Sequence, residues 1–141
     1  MGKLSEKLKD STMDLKRNIL YALQDKKAQD IIELDMTDLG ISLFDRFIVC
    51  TATSTIHAEA LFDNVLMTVK KNLGILPKQT EGVGNSQWIL VDYFDMIVHI
   101  FLQESRDFYS IESLWKDSVL IAYNEPITLN EKIEIKKDKN K

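Results

Sequence analysis

The feature that most constrains the fold is a pair of β-rich runs, QWILVDY (87–93) and MIVHIFL (96–102), separated only by Phe94 and Asp95. Two such runs joined by two residues read as an antiparallel hairpin, and so short a connection sets its register. With Tyr93 opposite Met96, the numbers of each cross-strand pair sum to 189, which sets Trp88 against Phe101, Leu90 against His99 and Asp92 against Ile97. Strand side chains alternate, so these six share one face. The other face carries Ile89, Val91, Tyr93, Met96, Val98 and Ile100 without interruption. That surface has to lie under helices, which makes the chain an α/β protein.

Helices to cover it are at hand. Leu15, Ile19 and Leu23 recur every four positions, widened by Leu20 and Ala22, and predict an amphipathic helix over 11–23. A short strand is expected over 30–36, with Gly40 turning out of it, and the continuous run 47–51 reads as a central strand covered on both faces. Ser54 is the expected N-cap of the next helix, whose Ala58, Leu61, Phe62, Val65, Leu66 and Val69 step by three and four. Lys70 and Lys71 suit its C-terminal dipole, and Gly74 and Pro77 end it. Strand, helix of about five turns and return strand predict a right-handed parallel crossover. After the hairpin, Phe108, Ile111, Leu114 and Trp115 stand at helical spacing, which predicts a short closing helix or pair of turns.

Length allows one domain: 141 residues with two prolines and five glycines leave little room for linkers. The expected domain is 1–118. A polar extension, 119–141, should be mobile at its end, since residues 131–141 hold five lysines and three acids against two isoleucines. No run approaches the roughly 18 apolar residues of a membrane span, and residues 1–9 lack a signal-peptide core, so a cytoplasmic protein without membrane contact is expected. Cys50 is the single cysteine and, beside Phe47, Ile48 and Val49, reads as a buried, inert thiol.

Charge is unevenly placed. Residues 81–117 carry a net −5 while the whole chain carries −4, so the remainder is +1. An acidic sector of this kind favours a basic protein partner and disfavours direct binding to a phosphate backbone. The P-loop, the dinucleotide-binding glycine fingerprint, the zinc ligand spacings and the nucleophile elbow are all missing. Two weaker alternatives are a metal held by His57 and His99, or by Asp92, Asp95 and His99 around the hairpin. Trp88 and Phe101 on the mixed face are core if helices cover both faces, and the apolar centre of an interface if that face is open.

At this hairpin the residues become specific. TEGVGNSQWILVDYFDMIVHIF (80–101) and ESRDFYSIESLW (104–115), preceded by AQDIIELDM (28–36) and LFDRFIVCTATSTIHAEALFDNVL (43–66), resemble the ribosomal silencing factor family, RsfS or Iojap-like, over roughly residues 12–117. The resemblance implies a mixed sheet of about five strands flanked by helices, distantly similar to nucleotidyltransferases, with no enzymatic activity and no cofactor or metal. It further implies binding to the large ribosomal subunit through large-subunit ribosomal protein fourteen, which blocks joining of the small subunit and represses translation. Some members of the family form dimers, so a homodimer is open here, and a metal- or nucleotide-dependent enzyme is the alternative that the fold analogy suggests.

Positions matching the family are Asp45, Thr53, Ser54, Glu81, Gly82, Trp88, Asp92, Asp95, Val98, His99, Phe101, Arg106, Tyr109, Leu114 and Trp115. For partner binding, Trp88 and Phe101 are the expected anchors and Glu81, Asp92 and Asp95 the acidic rim. His99, Arg106 and Tyr109 are expected to fix that surface, with Phe108, Leu114 and Trp115 locking the last helix to the core. Two departures stand out. Phe94 replaces the family's usual glycine in the hairpin turn, so either the turn changes type or the ring protrudes, and Ala52 replaces a common glycine in the strand-to-helix turn.

Overall fold

Residues 2–36, 46–114 and 116–129, the part of the computed structural model described, build a mixed sheet with helices on both faces. In chain order the elements are α1 (Gly2–Asp25), β1 (Gln29–Asp35), β2 (Arg46–Ala52), α2 (Thr55–Leu73), β3 (Gln79–Glu81), β4 (Trp88–Asp92), β5 (Met96–Leu102), α3 (Gln103–Tyr109), α4 (Ile111–Leu114) and β6 (Val119–Ala122). The six strands run in the order β3-β4-β5-β2-β1-β6. Among the described strands only the β2–β5 pair is parallel.

The hairpin has the expected register, with Trp88 opposite Phe101, Leu90 opposite His99 and Asp92 opposite Ile97. Its apolar face, Ile89 to Ile100, packs into the larger core with Ile48 and Cys50 of β2, Leu15, Ile19 and Leu23 of α1, and Ala58, Leu61, Val65 and Val69 of α2. Ser54 caps α2, its Oγ accepting from the His57 N–H at 3.0 Å, and Gly74 closes the helix at φ +68 with its N–H bonded to Lys70 O.

Helix α1 begins nine residues before the expected start, over a stretch rich in the good helix formers lysine, leucine and glutamate. The strand returning parallel to β2 is β5, not the one directly after α2. The short turn forces β4 antiparallel to β5, and β3 then pairs antiparallel with β4 as a three-residue edge.

Beyond residue 118 the chain still belongs to the fold. β6 pairs antiparallel with β1, the Tyr123 N–H donates to Ile31 O, and Gln24 exchanges hydrogen bonds with Glu125 O and the Ile127 N–H. Tyr123 also donates its hydroxyl to Glu33 Oε1 at 2.6 Å. Glu33 is fully buried on the helix side of β1, where it pairs with Lys16 Nζ at 3.3 Å and Arg46 Nε at 3.1 Å. Burial, the hydrogen bond to Glu33 and that carboxylate's charge push the Tyr123 phenol well above its ordinary pKa, so it stays a donor. The expected turn at Gly40, the matching Asp45 and Trp115, the Leu114 side chain and the tail 131–141 lie outside what is described.

Candidate functional site

The second face of the sheet is divided. Over β5, β2 and β1 it is closed by Ile111 of α4, which packs with Ile32, Leu34, Phe47, Val49, Ile97 and Phe101. Towards β4 and β3 it opens: Trp88 and Leu90 are half-buried, and Glu81, paired with Leu90 and therefore on the same face, is exposed.

Trp88 is held on three sides. Its ring stacks on Phe101 at 4.8 Å between centroids, leans on Tyr109 at 4.6 Å, and its Nε1–H donates to His99 Nδ1 at 3.0 Å. Phe101 has no exposure at all, so it is not an outer anchor as expected; it is the floor beneath Trp88. His99 is buried likewise, between Phe47 edge-on at 4.6 Å and the Trp88 indole. Because Nδ1 accepts from the indole, the ring proton sits on Nε2. Burial lowers the pKa of this imidazole to about 3, so at neutral pH it is an uncharged acceptor that fixes the Trp88 ring.

From Trp88 the aromatic row continues outward through Tyr109 to Phe108, which stands edge-on to Tyr109 at 5.0 Å and is 82% exposed. The expected packing of Phe108 into the core is overturned. Helix α3 turns Arg106 inward, and a residue two positions on lies about 200° around the helix axis. Arg106 Nη1 donates to Asp30 O and to Thr51 Oγ1, both at 2.7 Å, while its Nε faces Glu112 Oε1 at 3.3 Å. Asp30 presents that carbonyl from a bulge in β1, where its φ is +48. Arg106 therefore fastens α3 to the sheet.

The acids also sort by depth. Asp92 is buried, and its Oδ1 accepts from the Phe94 N–H at 2.8 Å, so it shapes the turn instead of forming a rim. Asp95 in the turn, Glu81 on β3, and Glu104 and Asp107 on α3 all reach solvent. Between residues 79 and 109 the sole base is Arg106, so this stretch of chain is acidic, with Lys78 and Arg46 meeting its turn through backbone bonds to Asp92 O and Asp95 O. Phe94 adopts a positive φ, +76, which glycine takes without strain, and its ring protrudes. Sequence reasoning passed over Phe108 and Leu90 as surface groups; the alternation of β4 carried a signal for Leu90, while nothing local marks the outward turn of Phe108.

The remaining candidates are occupied structurally. His57 Nδ1 accepts from the Thr53 N–H at 2.9 Å and its Nε2 donates to Lys26 O at 2.7 Å, tying the β2–α2 turn to the end of α1. Cys50 is fully buried, which raises its thiol pKa to about 12 and keeps it protonated. Among the described residues no three His, Cys, Asp or Glu side chains gather as a metal site, and no helix is long and apolar enough to cross a membrane.

Comparison with known proteins agrees with the resemblance drawn above. The family described as "Ribosomal silencing factor during starvation" matches residues 9–141. The ribosomal silencing factor RsfS of Bacillus subtilis is 39% identical over 100 residues, 70% of this chain and 82% of the relative. A crystal structure of a Chromobacterium violaceum protein superposes with a TM-score of 0.70 at 39% identity, covering 74% of this chain and 85% of the other. A more distant mouse relative, named mitochondrial assembly of ribosomal large subunit protein 1, is 29% identical over 69% of this chain and 43% of its own.

Proposed function

This chain belongs to the ribosomal silencing factor family, and from that premise we propose that its open aromatic face binds the large ribosomal subunit through large-subunit ribosomal protein fourteen, so that the small subunit cannot join. The observation that carries the reading is the row Phe101–Trp88–Tyr109–Phe108, buried at one end and solvent-exposed at the other. Trp88, locked before binding, loses little entropy on docking, and aromatic side chains are among those that most often dominate interface energy. Exposed Glu81, Glu104 and Asp107, with half-buried Asp95, supply an acidic surround that attracts a basic protein and speeds encounter. The name of the mouse relative points to the same subunit.

Occlusion asks for no bond-making step, only that the occupied surface overlap the one used in subunit joining. The contact residues of this reading are Trp88, Tyr109 and Phe108 with Glu81 and Asp95. Beneath them Phe101, His99, Asp92 and Arg106 hold the surface in shape. Co-sedimentation with purified large and small subunits tests it, with joining scored when both are present. Selective binding to the large subunit with reduced joining is expected. Phe108→Ala should weaken that binding about tenfold, while unfolding stability shifts by no more than about 0.5 kcal/mol because the ring buries little. Binding to neither subunit, or binding without any effect on joining, contradicts the proposal.

A further inference from the structure

Strands β2 and β5 are parallel neighbours, and the helices that follow them leave to opposite faces of the sheet. α2 packs with Ile48, Cys50 and Val98, whereas α3 lies over Thr51 and Trp88. Neither helix covers the gap beyond the two carboxyl ends, and in open α/β sheets such a switch point is where ligands are taken. Here the gap is a cavity of about 560 Å³, within the size range of small-molecule sites.

We propose that this cavity binds an uncharged nucleoside, a role separate from ribosome docking. Among the described residues no lysine, arginine or histidine lines it, and Glu104 is the one charged side chain. Arg106 lies behind the wall with Nη1 committed to Asp30 O and Thr51 Oγ1. A phosphate would meet a carboxylate and no cation. The lining instead supplies the amides of Gln29, Gln87 and Gln103, each with a donor and an acceptor side by side. That pairing complements the edge of a nucleobase.

The side chains of Gln29 and Gln87 make no hydrogen bond to another described residue, while Gln103 lends one N–H to Asp107 Oδ1. Ala52 and Leu102 add an apolar patch for a flat ring, and the hydroxyls of Thr53 and Ser105 stand within the same lining for a sugar. The walls are fixed in advance. Thr51 is pinned by Arg106, Gln29 pairs with Thr51 across the strands, and the Leu102 N–H holds Gln87 O at 3.0 Å. With the wall backbone held, only the glutamine side chains remain to be ordered by the ligand.

The test is amide NMR of the full-length chain titrated to millimolar concentration with adenosine, guanosine, cytidine and uridine, and then with ribose and adenosine monophosphate. At least one nucleoside should give saturable shifts confined to residues 29, 51–53, 87 and 102–105. Ribose should bind more weakly, and the monophosphate should bind less tightly than adenosine at low salt. Gln87→Leu, at an exposed position, should weaken the binding roughly tenfold with the rest of the spectrum unmoved. Should Gln87→Leu disturb the fold, Glu104→Gln serves instead and should narrow the preference for nucleoside over monophosphate. The proposal is overturned by the absence of saturable binding for all four nucleosides, by shifts mapping elsewhere, or by tighter binding of the monophosphate. None of these outcomes bears on co-sedimentation with ribosomal subunits.

Discussion

At the hairpin corner Phe94 adopts φ +76 while Asp95 does not share the positive sign, the pattern of a II′ turn whose first corner position favours glycine. A side chain there costs about 1–2 kcal/mol, partly offset because glycine loses about 0.5–1 kcal/mol more in chain entropy. Phe94→Gly should therefore raise the urea midpoint, by a net of about 0.5–1 kcal/mol in stability. A fall in ribosome affinity in the same variant would show that the protruding ring adds contact area. Gly82 is the converse case. Its φ is +80, and a Cβ would collide with the carbonyl oxygen of Trp88 across the loop. The Ser86 N–H bond to Gly82 O holds that loop closed, and the Ser86 hydroxyl ties it to Glu59 of α2. Gly82→Ala should cost roughly 2–4 kcal/mol in thermal or urea unfolding, since backbone must move to admit the methyl group.

Among the elements, α3 matters most to the docking face, and seven residues cannot hold a helix in place by themselves. Arg106 supplies the anchorage, reaching the β1 bulge and the end of β2 with one nitrogen. Lysine carries a single ammonium on a different geometry and leaves one of these acceptors or Glu112 unpaired. Arg106→Lys should destabilise by about 2–3 kcal/mol, and amide exchange should quicken first in α3, while the centre of α2 keeps its protection. Loss of docking without global unfolding would follow, because Tyr109 and Phe108 travel with α3. The hairpin itself was legible in full, register included, because period-two alternation and a two-residue turn admit one pairing. β3 and β6 were not legible: Gln79–Glu81 is three exposed polar residues, and Val119–Ala122 is a short apolar run exposed along its whole length. Both are strands only because a neighbour offers an unpaired edge.

For the molecule as a whole, His99 links stability to acidity. Its pKa is about 3 folded against 6.5 for the free group, so between these values the unfolded chain binds the extra proton. The stabilisation from keeping this imidazole neutral is complete above about pH 6.5 and is lost as pH falls towards 3, at up to about 1.4 kcal/mol per pH unit. Chemical unfolding of His99→Phe should thus show a flatter dependence between pH 7 and 4 than the parent, even though the variant starts less stable for want of the Trp88 acceptor. An equal slope in the two proteins would mean that His99 takes up its proton while folded.

The sequence by itself determined the α/β class, the hairpin and its two faces, the capped α2 and the inert Cys50. These rest on local periodicity, turn length and capping, all of which act between near neighbours in the chain. Only the tertiary structure decided which part of the mixed face is open. The Trp88–Phe101 pair reads the same in sequence whether covered or bare. The covering groups come from α3 and α4, whose orientation depends on a buried arginine clasping strands 55 and 76 residues away. Phe101, His99 and Asp92 consequently lie below the surface, whereas Phe108, assigned by spacing to the core, stands in solvent. Helical spacing gives the angle between side chains on a helix but not the direction in which the helix faces, and that direction is set by contacts between residues far apart in the chain.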